Sequence, residues 1–289
     1  MPPFQTNRLK FIRNQPLYDH ERPYMILAHT EEGQQRTNVE YETGPVQTIQ
    51  DARGREESFT LDKHGFAFVK ANTEMDECLS RDRIEILYLA QMRGMLKGHL
   101  DGADHVEFID WRKRSSRKLH GEKEYIDVGN PSDPARPISE VHVDLSERAD
   151  FSPACILNRV EKIMGDRTDS LLKGRVQVIN IWRPLEVVKN WPLVVCDGSS
   201  IRDEDLLEID LVRRDWAGYT LNPVYRPGYR WFHLSDQHPD ELILFKMFDS
   251  SEEVDATSCP HASVPYEGID EDRDSIEVRA LVFTLPEGR

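Results

Sequence analysis

The 289-residue chain has no apolar run approaching the roughly 18 residues of a membrane-spanning helix. It has no C-x-x-C pair: Cys78, Cys155, Cys196 and Cys259 lie far apart, which argues against a structural zinc knuckle and a secreted disulfide scaffold. The opening Met1-Pro2-Pro3-Phe4-Gln5 carries no apolar signal stretch, so a reducing, cytoplasmic setting is expected. No glycine-rich loop joins a strand to a helix, which disfavours a methyltransferase, and no G-x-S-x-G elbow is present. Basic residues are the minority, 37 against 52 acidic, for a net charge of −15. Phosphate binding needs clustered cations, so nucleic acid is not an expected partner. The one basic run, Arg112 to Lys118, reads as a solvated loop, with a localisation signal or an anion site as the alternatives.

What is present describes a folded protein with a large core: 38% hydrophobic and 31% charged residues. Its length suits one large domain or two ordinary ones. Residues 1–65 are polar and broken by Pro and Gly, with a strand at Val46–Ile49, and read as an arm wrapping a core at 66–289. A helix is expected from Ser80 to about Lys97, on the stripe Ile84, Leu87, Tyr88, Gln91 and Met95. A strand at His105–Trp111 precedes a long charged segment, 113–138, read as a lid loop. Short strands then dominate, at Ser139–Asp144, Gln177–Arg183, Leu193–Cys196, Tyr229–Ser235, Leu242–Phe248 and Ser275–Phe283. Helical pieces are expected near Pro153–Met164 and Asp203–Ile209. The expected fold is mainly β with flanking helices around a double-sheet jelly roll of the cupin-like kind, as a single domain over 1–289.

A non-haem iron(II) oxygenase holds its metal with two histidines and one carboxylate, leaving the opposite positions open. H-x-[D/E] on a strand supplies half of that set, because the period of two puts both side chains on one face. The motif is weak on its own. With ten histidines it occurs five times, at His29, His105, His120, His142 and His238. His142-Val143-Asp144 has the best context: a short strand with enough chain after it to bring back a distal histidine. His238-Pro239-Asp240 reads as a turn, and His120 lies in the charged segment. Downstream, an apolar strand leads to Cys259-Pro260-His261, then to Arg273-Asp274-Ser275 opening the last strand. 2-Oxoglutarate chelates iron through one end, and its far carboxylate suits a guanidinium and a hydroxyl. Arg273 and Ser275 share a strand face with Arg279, and either arginine fits the anchor role, with Arg273 preferred.

At these residues the chain resembles a fungal hydroxylase/desaturase family related to gibberellin desaturase-like proteins and to proteins associated with cephamycin methoxylation. The matching segments are Ser58 to Phe66, His142-Val143-Asp144, Asn180 to Leu185, Pro192 to Asp197, Ser235-Asp236-Gln237, Pro239-Asp240-Glu241, Pro260-His261 and Asp274 to Arg279. The resemblance implies a double-stranded β-helix with iron(II), 2-oxoglutarate and dioxygen, working in secondary-metabolite biosynthesis. Carried across, His142, Asp144 and His261 are the metal ligands, and Arg273 with Ser275 clamps the cosubstrate, with Arg279 in reserve. Relatives carry an aromatic residue where this chain has His233. Trp182 and Arg183, and Trp231 with His233, are substrate-pocket candidates, with core packing or a buried ion pair as the alternative.

The expected activity is oxidation of a C–H bond in a small terpenoid, meroterpenoid or polyketide, by hydroxylation, desaturation or peroxidation. The expected partner is that substrate, with no membrane; a homodimer through the N-terminal arm is left open. Two other classes remain: a cupin-like metal-dependent hydrolase or isomerase, which needs no R-x-S clamp, and a non-catalytic jelly-roll binding protein.

Overall fold

A computed structural model describes residues 4–27, 33–71, 80–117, 129–144, 160–212 and 217–285. The strands are β1 (Phe4–Ile12), β2 (Tyr24–Ile26), β3 (Tyr41–Asp51), β4 (Phe66–Lys70), β5 (His105–Ser115), β6 (Val143–Asp144) and β7 (Arg175–Pro184). They continue with β8 (Leu193–Cys196), β9 (Leu206–Val212), β10 (Ala217–Pro223), β11 (Trp231–His233), β12 (Glu241–Asp249), β13 (His261–Ser263) and β14 (Asp274–Thr284). The mainly β jelly-roll expectation holds. One sheet runs β4-β12-β7-β14-β5, a second β1-β3-β11-β8-β13, and a third β2-β9-β10-β6. An isolated antiparallel bridge between His142 and His261 links the second sheet to the third, at the edge strands β13 and β6.

The first sheet is covered on both faces, so its central strands read as near-continuous buried runs. Side-chain parity separates the two faces. Val176, Val178, Trp182, Ile243, Phe245, Met247, Leu281 and Phe283 pack with Val143, Leu193, Val195 and Phe232 in the space between sheets. The opposite parity, with Ile179, Ile181, Leu242, Leu244, Val278 and Val282, packs against a helix. That helix opens at Arg81–Arg83, where the Ser80 hydroxyl accepts from Arg83 N. It widens to a π-helical turn at Ile84–Tyr88 and ends as Leu89–His99. The wide turn spaces its buried residues by four, at Ile84, Tyr88, Met92 and Leu96. Of the other residues expected on that stripe, Met95 is half-buried and packs against the same cluster, whereas Leu87 and Gln91 are exposed. Each fully buried apolar side chain on the stripe stabilises the pairing by about 1.5–3 kcal/mol before entropy.

Other expectations change. Residues 203–205 form a single 3₁₀ turn, but 206–209 belong to β9, because alternating Leu207, Ile209 and Leu211 pair with β10. The N-terminal residues contribute β1 and β3, which extend the second sheet. Of the strand expected at 139–144, Val143–Asp144 is in a ladder. In the segment read as a lid, 113–115 end β5, and 129–138 pass beside it in the parallel sense through Lys113 N to Pro131 O and Ala135 N to Lys113 O. Residues 118–128, and 153–159 of the expected helix, lie outside the described residues; 160–164 are helical. Among the described residues no helix is long and apolar enough to cross a membrane.

Candidate metal centre

The site lies where the second and third sheets meet. His142 and His261 exchange backbone hydrogen bonds, His142 N to His261 O at 3.1 Å and His261 N to His142 O at 2.9 Å. Their rings lie 4.4 Å apart between centroids. Asp144, two residues along, sends its side chain to the same face. The donor atoms of His142, Asp144 and His261 all fall within 4.8 Å of one another, close enough for one ion to gather.

Both histidines are oriented by the same local device. Nδ1 of His142 lies 2.8 Å from Glu140 O, and Nδ1 of His261 lies 3.1 Å from Cys259 O. A carbonyl only accepts, so each Nδ1 carries the proton and Nε2 keeps its lone pair for a metal. Nε2 of His142 is buried without a hydrogen-bond partner, 3.5 Å from Asp144 Oδ1. Burial and the neighbouring His142 depress His261 to about 3, so it stays a neutral ligand at ordinary pH.

The chain leading to His261 is pinned by close approach. Gly65, at φ +79°, and Gly198 both face the Ser258 carbonyl; a Cβ at either position would lie 2.7 or 2.1 Å from that oxygen. Cys259 N then donates to Lys246 O at 2.8 Å.

Asp144 is held from behind. Its Oδ2 accepts from Arg279 Nη2 at 2.9 Å and from Asn180 Nδ2 at 3.3 Å. Burial alone would raise the carboxyl, but Arg279, with the imidazoles, holds it well below the usual carboxylate range. Arg279 also pairs with Asp110 at 3.1 Å and donates from Nε to Asn180 Oδ1 at 3.3 Å. Burial opposes its charge, yet Asp110, Asp144 and Glu277 hold its pKa above the ordinary value.

Strand register explains this cluster. Asn180 of β7 is paired with Arg279 of β14, which is paired with Asp110 of β5. Two residues along, Trp182 is paired with Glu277, and two further on Ser275 is paired with Arg114. The inward face of β14 therefore reads Ser275, Glu277, Arg279, Leu281, Phe283: polar at one end of the sheet and apolar at the other.

A half-open cavity lies at the polar end, and His142, His261, Trp182, Arg273 and Glu277 are in its lining. Arg273 is 1% exposed. Its Nη1 donates to Ser263 Oγ at 3.3 Å, and its guanidinium lies 5.3 Å from the Trp182 ring. Nε and Nη2 are buried with no partner among the described residues, as is the nearby Ser275 hydroxyl. Burial and the like charge of Arg114 push Arg273 down to about 9. A buried cation without a counter-ion is costly, and its free donors call for an anion.

A model of an oxidoreductase/YMDC permease-like domain matches residues 9–283. Hydroxylase/desaturase CTB9 of Cercospora beticola is 33% identical over 260 residues, 84% of this chain and 77% of that protein. The Fe(II)/2-oxoglutarate-dependent dioxygenase nvfI of Aspergillus novofumigatus is 30% identical over 264 residues, 87% of each chain. The chain belongs to this hydroxylase/desaturase family. A solved structure of the iron and alpha-ketoglutarate-dependent endoperoxidase NvfI superposes with a TM-score of 0.82 at 25% identity, covering 99% of this chain and 100% of that one.

Among the other candidates, Trp182 lines the cavity. Arg183, of opposite parity, points to the helix side: Nε donates to Pro239 O and the guanidinium lies 5.8 Å from the Tyr88 ring. Trp231 packs with Phe11 on the outer face of its sheet, ring centroids 6.2 Å apart, because β11 turns Phe232 inward. His233, on that same outward parity, meets Tyr266 Oη through Nδ1 at 2.9 Å. Neither Trp231 nor His233 is in the lining. Sequence reasoning missed Asn180, Glu277 and Arg114. The parity that joins Ser275 to Arg279 also contains Glu277. Arg114 was hidden in the basic run; 112–115 of that run are strand, and Arg114 turns inward rather than into solvent.

Proposed function

We propose that this protein oxidises a C–H bond of a small, largely apolar secondary metabolite of terpenoid, meroterpenoid or polyketide type. It is an iron(II)/2-oxoglutarate-dependent dioxygenase. The observation that carries the site assignment is Arg273, a buried guanidinium with two unpartnered nitrogens, opening onto the same cavity as His142 and His261. The donor set suits the group: two neutral imidazoles and one ionised carboxylate for iron(II), and a guanidinium with a hydroxyl for the far carboxylate of 2-oxoglutarate.

When bound, iron(II) with 2-oxoglutarate and dioxygen supplies the oxidising power for hydroxylation, desaturation or peroxidation. The relative described as an endoperoxidase keeps peroxidation among these outcomes. The chain's own residues prepare the site. Arg273 and Ser275 receive the carboxylate, with Trp182 packed on the guanidinium. Arg279 and Asn180 occupy Oδ2 of Asp144, so Oδ1, on the side of His142 Nε2, would be the oxygen to hold the metal. Pro137, Ile138 and Leu193 present apolar surface to the substrate. From the 113–138 segment, Arg114, Pro137 and Ile138 line the cavity wall.

The test is anaerobic titration of the apoprotein with iron(II) and 2-oxoglutarate, watching for the weak visible charge-transfer band of the chelate. A band in wild type that is lost in Asp144→Ala is the expected result. Bound iron with no band would remove 2-oxoglutarate and favour hydrolase-like chemistry.

A further inference from the structure

The cavity wall carries polar groups that iron and cosubstrate leave unused, Glu277 and the indole Nε1 of Trp182 among them. Glu277 is buried and lines the cavity with Arg114, Pro137, Ile138 and Leu193. Its two oxygens accept one hydrogen bond each, from Asn180 Nδ2 and Arg114 Nε, both at 3.3 Å. Burial raises the pKa of Glu277 and Arg114 opposes that rise; in its ionised form the carboxylate has about four acceptor positions, so two long bonds leave it short of donors. Arg114 is compensated, being paired with Glu277 and donating to Arg136 O at 3.3 Å. Arg273 is therefore the cavity cation with no carboxylate partner among the described residues, and 2-oxoglutarate takes it. What remains for the substrate among the described residues is a spare acceptor on Glu277 and a buried donor, Trp182 Nε1, with no second unpaired cation in the lining to hold an anion.

We propose that Glu277, steadied by Arg114, is a substrate-binding residue that accepts a hydrogen bond from a hydroxyl group of a neutral substrate. This rests on the assignment of iron and 2-oxoglutarate to the same cavity. Trp182, Pro137, Ile138 and Leu193 give the hydrocarbon body its apolar surroundings. An alcohol can donate to Glu277; a ketone cannot, and a carboxylate meets like charge.

The experiment uses the iron-loaded, full-length protein with 2-oxoglutarate and four probes on one decalin skeleton: hydrocarbon, ketone, alcohol and carboxylate. Probe-stimulated consumption of 2-oxoglutarate is compared in wild type, Glu277→Gln and Glu277→Leu. The chelate band is recorded for each protein as a control on the site itself. In wild type the alcohol should exceed the ketone by about tenfold, as for a hydrogen bond to a charged acceptor. That preference should fall several-fold in Glu277→Gln and vanish in Glu277→Leu, with the band retained. No alcohol preference in the set (including no stimulation at all), a preference for the carboxylate, or a preference unchanged in Glu277→Gln overturns the proposal. Loss of the band in Glu277→Gln alone also overturns it, by placing Glu277 in the metal centre. Absence of the band in wild type removes the cofactor assignment beneath it.

Discussion

His142 and His261 are partners on a single antiparallel rung, joined by backbone hydrogen bonds of 3.1 and 2.9 Å, so two ligands are placed by the main chain before any metal arrives. Truncating either side chain leaves that rung in place. His142→Ala and His261→Ala should each lose the chelate band and turnover while keeping a cooperative thermal transition. Full activity in either variant would sink the ligand assignment.

Arg279 is committed to Asp144 and Asp110, whereas Arg273 has no carboxylate partner among the described residues. The two arginines should therefore fail differently. Arg279→Leu should weaken iron(II) affinity by about 10–100-fold, the usual cost of removing the group that supports a ligand. Arg273→Leu should leave iron affinity near wild type and abolish saturation by 2-oxoglutarate. Separate titrations of iron and cosubstrate distinguish them; the reverse pattern would make Arg279 the anchor.

Burial holds Arg273 down at about 9, and only its protonated form attracts the dianion. Cosubstrate affinity should be complete below that pH and fall by up to tenfold per unit above it, since proton loss precedes binding. The Kd for 2-oxoglutarate, measured anaerobically between pH 7 and 10.5, checks this. A flat profile would show that Arg273 keeps its proton throughout.

Gly198 and Gly65 both face the Ser258 carbonyl ahead of His261. Gly198→Ala should destabilise the fold by about 1–3 kcal/mol, as overpacking does, and lower iron affinity by displacing His261. Calorimetry and iron titration together test the coupling. Stability lost with iron affinity intact would show that the pinned segment does not position the ligand.

The strands around the centre were legible in part because period-two alternation survives in the sequence. β8 matches its expected limits, Leu193–Cys196, and the expected limits of β7, β12 and β14 fall a residue or two short of those observed. H-x-D and R-x-S were readable for the same reason: both residues of each pair share a face. Parity alone could not say which face points in. At Trp231-Phe232-His233 that depends on pairing with β8 and β3, strands distant in sequence, and the aromatic residue chosen for the pocket was the one turned away. Arg114 was obscured by its neighbours, since a basic run reads as solvated unless a carboxylate such as Glu277 is known to face it. β1 was missed because its polar sequence becomes a strand by pairing with β3 at the sheet edge, and of β3 only Val46–Ile49 was read, because Gly44 and Pro45 interrupt its first half.

The seam between the second and third sheets has a kinetic consequence. An ion held by His142, Asp144 and His261 would act there as a rivet across two hydrogen-bonded networks that otherwise meet in isolated bridges. Metal loss should then leave the helix-backed sheet protected and raise the amide exchange rates of His142 and His261 first, so that the empty enzyme breathes at its active site before it unfolds anywhere else.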